Sequence, residues 1–175
     1  MASQINFDES CKYLQKLALI EDEDIPQLPP RKPRYDDETL GVNFIRTRLA
    51  EVELNNLTLP RTYFGRSEIN QIGFRNTDLS ESVFCWNDFT RVIFQSADLS
   101  QADLRASIFV SCSFESANLS MADLRHSTFD QCSFTNANMN GTKITYSWRW
   151  VTHLSLKQLA NISWQKNHGV EPDGG

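Results

Sequence analysis

From Phe44 to Ile144 the chain places a large apolar residue at every fifth position. The series is Phe44, Leu49, Leu54, Leu59, Phe64, Ile69, Phe74, Leu79, Phe84, Phe89, Phe94, Leu99, Leu104, Phe109, Phe114, Leu119, Leu124, Phe129, Phe134, Met139 and Ile144, 21 positions of which none is polar. A helix buries residues at a period near 3.6 and a strand at 2, so neither can present this series to one core. Two residues before each large residue sits a smaller one: Ala97, Ala102, Ser107, Cys112, Ala117, Ala122, Ser127 and Cys132 in the stretch 97–138. One large and one small inward residue per five leave three outward, and these are mostly Asp, Asn, Ser, Arg and Gln. Such a chain takes one short inward-facing step and then turns a corner.

Like residues recur at a spacing of 20, which counts the corners. Leu59, Leu79, Leu99, Leu119 and Met139 fall in one column, Phe74, Phe94, Phe114 and Phe134 in another, and Phe89, Phe109 and Phe129 in a third. The fourth column mixes Phe44, Phe64, Phe84, Leu104, Leu124 and Ile144. A spacing of 15 scrambles these sets. Like stacked on like is what a solenoid core requires when equivalent positions see the same neighbours. The periodicity therefore predicts a four-sided β-solenoid of about five coils, stacked at the ~4.8 Å strand spacing into a rod on the order of 25 Å long.

The pentapeptides ADLSQ, ADLRA, ANLSM, ADLRH and ANMNG resemble the A(D/N)LXX unit of the pentapeptide-repeat proteins over residues 42–146. The resemblance implies an all-β fold, a right-handed quadrilateral parallel β-helix, here with short N- and C-terminal helical segments. It also implies dimerisation through the C-terminal end, and action by binding, without catalytic residues, cofactor or metal. The best understood members of that family are bacterial proteins that bind DNA gyrase or topoisomerase IV. They give antibiotic resistance or immunity by presenting an acidic, DNA-like rod. Other members are secreted effectors.

Charge tests the DNA-like reading. The 175-residue chain carries 17 basic and 22 acidic residues. Residues 41–147 hold nine basic and eleven acidic side chains, so the rod is only −2. Duplex DNA carries one negative charge per ~1.7 Å of axis, far denser than this. What remains of the idea is local: Asp78 and Asp98 stack on one face, followed by Asn118 and Asn138. Their short polar side chains also suit a role in holding the turn backbone. Asp103 and Asp123 stack on another face beside Arg105 and Arg125. Gyrase-protecting relatives often carry loops that interrupt the repeat; this register is unbroken.

The flanks divide the chain into residues 1–20, 21–40, 41–147 and 148–175. The first reads as a short helix with Phe7, Cys11, Leu14 and Ala18 on one face and Asp8 as its N-cap. It serves either as a cap on the first coil or as a docking helix on a tether. The tether, EDEDIPQLPPRKPRYDDE, has four prolines and many charges, the chemistry of a linker. The C-terminal part is Trp-rich. Ser155 and Gln158 form a capping box that opens a short helix, and Trp148, Trp150 and Leu154 are candidates for covering the last coil or for dimerisation. The final residues read as a disordered tail.

Cys11, Cys85, Cys112 and Cys132 have no metal-ligand spacing, and His126, His153 and His168 are scattered. Cys112 and Cys132 stack one coil apart and are expected to be free thiols in a cytoplasmic protein. Asn87 occupies an inward position and needs an internal hydrogen-bond partner. Cys85 and Trp86 beside it point outward and mark a local contact patch. No apolar run approaches the length of a membrane span, and the N-terminus lacks the pattern of a signal peptide.

The expectation for function is a non-enzymatic, protein-binding scaffold. Its candidate partner is a type II topoisomerase, met through Asp78, Asp98 and Trp86. The alternative is a secreted effector or host-interaction factor using its N-terminal segment. Neither direct nucleic-acid binding nor a membrane span is expected.

Overall fold

The computed structural model describes residues 3–21, 25–34, 40–145 and 154–165. Helix α1 (Phe7–Lys16) is followed by eight three-residue strands. These are β1 (Asn43–Ile45), β2 (Arg48–Ala50), β3 (Tyr63–Gly65), β4 (Glu68–Asn70), β5 (Asp88–Thr90), β6 (Ile108–Val110), β7 (Thr128–Asp130) and β8 (Lys143–Thr145). Helix α2 (Leu156–Asn161) and strand β9 (Ser163–Gln165) complete the order. Every strand pairing is parallel and every register step is 20: Leu49 pairs with Ile69, Ile69 with Phe89, Phe89 with Phe109 and Phe109 with Phe129. Single bridges at the same step join the other faces, among them Glu53 with Gly73 and Asp78 with Asp98. The molecule is thus a four-sided β-solenoid. Its faces are named by a central residue: Phe64, Ile69, Phe74 and Leu79, in chain order around one coil.

The core is a set of vertical stacks. Phe89 and Phe109 lie 4.7 Å apart with their planes 3° from parallel, and Phe114 and Phe134 lie 4.9 Å apart at 1°. Between columns the rings meet edge to face, as in Phe109 against Phe114 at 5.4 Å. Both arrangements are favoured by the ring quadrupole. Leu99, Leu104, Phe109, Phe114, Leu119, Leu124, Phe129 and Phe134 are all buried, as the period of five requires.

The corners explain the repeat. Every fifth residue from Arg46 to Gly141 has φ between 52° and 68°, and only the last of these is glycine. Where the small inward residue is alanine, the corner closes on itself: Ala97 N–H donates to Phe94 O at 3.0 Å around left-handed Ser96, and Ala117 does the same to Phe114 O. This is the pattern of a type II turn. Where the small residue is polar, its side chain adds to that bond or replaces it; Thr77, Ser82, Ser127 and Thr142 still close the turn through their own amides at 3.2 to 3.3 Å. Thr47 N–H donates to Ser67 Oγ, Ser67 N–H to Asn87 Oδ1, Asn87 N–H to Ser107 Oγ and Ser107 N–H to Ser127 Oγ, all between 2.8 and 3.1 Å. Each of these side chains also donates to the carbonyl of the residue 23 earlier: Ser67 to Phe44 O, Asn87 to Phe64 O, Ser107 to Phe84 O and Ser127 to Leu104 O. Asn87 is therefore fully partnered inside the rod.

The rod has about six turns, one more than the uninterrupted register predicts. Tyr63, Val83, Asp103, Asp123, Lys143 and Ser163 continue the rung that starts at Asn43. Leu154 and Leu159 stand 20 residues beyond Phe134 and Met139, and both pack against the core. Helix α2 replaces a flat side of this last coil. Its capping box is formed, with Gln158 N–H donating to Ser155 Oγ and Ser155 N–H to Gln158 Oε1. Gln158 Nε2 also reaches down to Phe134 O and to Ala137 O, the second of which has no further regular coil to bond, unlike Ala97 O and Ala117 O.

Helix α1 lies against the opposite end. Ile5 N–H donates to Asn56 O, Thr58 N–H to Ser10 Oγ and Tyr13 O–H to Glu53 O. These bonds satisfy first-coil groups that have no coil beneath them, and Cys11 and Leu14 are buried in the same contact. The N-cap is Asn6, whose side chain accepts from Glu9 N–H, and not Asp8, which lies inside the first turn. Ala18 is exposed and off the buried face, because the helix has already ended. Ala18 N–H bonds Gln15 O and Leu19 N–H bonds Leu14 O around left-handed Ala18, a Schellman cap.

Candidate functional site

In the unit A(D/N)LXX the second residue has a mechanical task. The amide two residues on points outward at the corner, away from the ladder. Asp78 Oδ1 accepts Ser80 N–H at 2.9 Å, Asp98 Oδ1 accepts Ser100 N–H at 2.8 Å, and Asn118 and Asn138 accept from Ser120 and Asn140 at 3.2 Å. The same bond recurs from Arg105 to Asp103 and from Arg125 to Asp123. The side chains also link coil to coil: Asn118 Nδ2 donates to Asp98 Oδ1 at 3.1 Å and Asn138 Nδ2 to Asn118 Oδ1 at 3.0 Å. Asp78 and Asp98 are thus half-buried corner pieces of the Leu79 face, stacked as a flat polar ladder. Neither is in an ion pair among the described residues.

Elsewhere on the rod, acids and bases pair across coils. Arg48 meets Glu68 at 3.0 Å, Arg61 meets Glu81 at 3.0 Å and Arg75 meets Glu53 at 3.5 Å. On the Phe64 face Arg105 and Arg125 each grip the carboxylate two residues before them at 2.7 Å. Burial works against the Asp123 carboxylate, but hydrogen bonds from the Arg125 guanidinium and amide hold it below the usual range.

Trp86 is 53% exposed and sits at a corner in the left-handed conformation. It borders the Phe64 face, so the structure does not bring it together with Asp78 and Asp98 on the Leu79 face. Cys85 points away from the core as expected, yet it is only 7% exposed. It forms a small apolar cluster with Tyr63 and Val83, against which Leu40 packs. The cover comes from the segment that its composition marks as a linker. Pro29 and Pro33 are buried, Pro29 O accepts from Arg61 Nη1 at 2.7 Å, and Lys32 Nζ donates to Gln101 O. Burial lowers the Lys32 pKa, while Asp103 and Asp123 pull it back up. A cleft of about 500 Å³ lies between this strap and the rod, lined by Arg31, Lys32, Pro33, Arg34, Glu81, Val83, Cys85, Trp86, Asp103 and Arg105. No composition signal announces the contact; the alternation of buried prolines with cations is its only trace in the sequence.

All four cysteines are free thiols. Cys112 and Cys132 donate to Phe89 O and Phe109 O, as the serines of the neighbouring corner do. The hydrogen bond to Cys132 and burial push the Cys112 thiol up. Burial, helped by Asp8, pushes Cys11 up to about 11. Among the described residues no group of His, Cys, Asp and Glu could hold a metal, and no helix is long and apolar enough to cross a membrane. Leu154 is buried at the end of the rod; Trp148 and Trp150 lie outside the described residues.

Residues 87–160 match the family described as pentapeptide repeat region. Among solved structures the rod is similar to a pentapeptide repeat protein of the Arabidopsis thaliana thylakoid lumen, with 25% identity and a TM-score of 0.52. That match covers 54% of this chain and 66% of the plant protein, so the chain spans just under two thirds of its length. A pentapeptide repeat protein of the cyanobacterium Cyanothece is 17% identical over 59% of this chain and 86% of its own, with a TM-score of 0.47. A trypsin-treated variant of QnrB1, a plasmid-mediated fluoroquinolone resistance protein, is 16% identical over 73% of this chain and 66% of its own, with a TM-score of 0.31. No curated protein matches the chain.

Proposed function

Since the chain belongs to the pentapeptide-repeat family, we propose that it is a non-enzymatic scaffold that binds another protein on the outside of its rod. The observation that carries this reading is the division of labour in the repeat. Two inward residues per five fill the interior with stacked rings and ladders, so variation in chemistry is left to flat outer faces. Function on such a fold lies in its surfaces.

A narrower proposal takes a type II topoisomerase as the partner, with the rod standing in for DNA. It is supported by the stacked Asp78 and Asp98 carboxylates on the Leu79 face. Weighing against it, each carboxylate already holds a backbone amide, and Glu53, Glu68, Glu81, Asp103 and Asp123 are each ion-paired with an arginine. The broader scaffold reading is therefore the conclusion. A cytoplasmic location belongs to the same proposal, supported by four thiols of which two are stacked, an arrangement kept reduced in that compartment.

The test is capture from a bacterial lysate by the full-length protein, read by mass spectrometry, beside the double variant Asp78→Lys, Asp98→Lys. The scaffold reading expects one protein enriched reproducibly over a control rod; enrichment of nothing overturns it. The topoisomerase reading expects both gyrase subunits, lost in the double variant. Gyrase captured equally by both chains would remove the ladder from the interaction.

A further inference from the structure

We propose that the Phe64 face, from Tyr63 to Asp123, is a docking site for a basic, proline-bearing peptide segment, and that residues 29–34 of the chain itself occupy it at rest. The inference rests on the scaffold reading and gives the partner's chemistry.

The face is built unlike the others. Tyr63, Val83 and Cys85 are buried at outward positions, and stacked above them are Asp103 and Asp123. An apolar floor leading to carboxylates suits a segment with prolines at one end and a cation at the other. The strap Pro29-Pro30-Arg31-Lys32-Pro33-Arg34 has that order. Its prolines lie on the rod without an amide that would need a partner. Arg61 donates to the Pro29 carbonyl, and Lys32 reaches the Gln101 carbonyl, where the carboxylates of Asp103 and Asp123 attract its charge.

The strap is also made to leave. Among the described residues, no backbone–backbone hydrogen bond joins residues 25–34 to the rod. Releasing it therefore opens no coil. It does not fill the face either, since the cleft of about 500 Å³ remains beside Trp86 and Arg105. A weak ligand persists there because it is tethered: a short tether supplies an effective concentration in the millimolar range. The same contacts in trans would come from another protein with this chemistry, once the resident segment yields.

The experiment uses full-length protein and a fluorescent peptide of the sequence PQLPPRKPRY, that of residues 26–35. Binding is followed by anisotropy for the wild type and for the strap variant Lys32→Glu, Pro33→Asp, with circular dichroism confirming the fold. In parallel, alkylation of Cys85 is located by mass spectrometry. The strap variant is expected to bind the peptide at least tenfold more tightly than the wild type and to alkylate at Cys85 at least tenfold faster. The peptide should slow that alkylation, and Val83→Lys in the strap variant should abolish binding. A strap variant that ignores the peptide, binds it equally with Val83→Lys, or alkylates at the wild-type rate overturns the inference. If the chain refuses the peptide yet still captures a protein from lysate, this inference fails and the scaffold reading stands.

Discussion

Trp164 pairs in register with Ile144, twenty residues before it, and extends the stack that begins at Phe44. An indole thus closes the end of the apolar column where a further coil would otherwise be needed. A solenoid end that leaves its rings open invites association, so Trp164 works with α2 as a lid. Trp164→Ala is expected to cost about 2–3 kcal/mol, less than a fully buried tryptophan because the residue keeps part of its surface exposed. Urea denaturation of the wild type and variant, followed by far-UV circular dichroism, measures this. No change in midpoint would mean that the column needs no cover.

Asn87 gives a sharper contrast. It accepts Ser67 N–H and donates to Phe64 O and Cys85 O inside the rod. Asn87→Leu strands those groups, at about 1–3 kcal/mol for each buried partner left unsatisfied. Asn87→Ser copies Ser67 and Ser107 above and below it and should cost about 1 kcal/mol or less. Equal losses in the two variants, by the same denaturation assay, would remove the ladder from the stability of the rod.

Corner strain makes a prediction of opposite sign. Ala106 has φ 53°, where an L-residue is disfavoured by ~1–2 kcal/mol. Ala106→Gly relieves that but loses chain entropy, leaving a net gain of up to about 1 kcal/mol. Ala102→Gly, at an inward position whose turn is already closed by the bond to Leu99 O, should instead destabilise by about 0.5–1 kcal/mol. Thermal melting of the two variants should therefore move in opposite directions.

Asp123 links stability to acid. Its folded pKa lies below the ordinary carboxylate value, despite burial, because Arg125 bonds the ionised form. Its contribution is complete above the unfolded value near pH ~4 and is lost as pH falls through the lower folded value. Asp123→Asn should melt below the wild type at pH 7, and the gap should narrow toward pH 2. A gap independent of pH would show that the carboxylate's charge has no part in it.

The period of five made the stacks legible because burial imposes one large residue per side, and the step of 20 followed from matching like with like. The handover at Arg149 hid the sixth turn. A polar residue broke the series there, and Leu154, Leu159 and Trp164 looked like a separate aromatic cap. The left-handed corners were also hidden. Arginine, tryptophan and methionine occupy them, and what favours the conformation is the bond that most of these amides make to the next coil, such as Arg46 N–H to Gly65 O. Of the candidate site, the Asp78–Asp98 stack was readable from spacing, whereas the strap was not. Its contacts join Pro29 to Arg61 and Lys32 to Gln101, pairs that no repeat relates.

The identical step between every coil has a consequence for how such a chain can change over generations. A duplication of one coil's worth of coding sequence inserts a segment whose upper and lower rims already fit their neighbours. The rod can therefore grow or shorten in whole storeys without a redesigned interior. A single-residue insertion has no such licence, since it would turn every later ring from the inside to the outside. Length is inherited in steps, while the faces drift one side chain at a time.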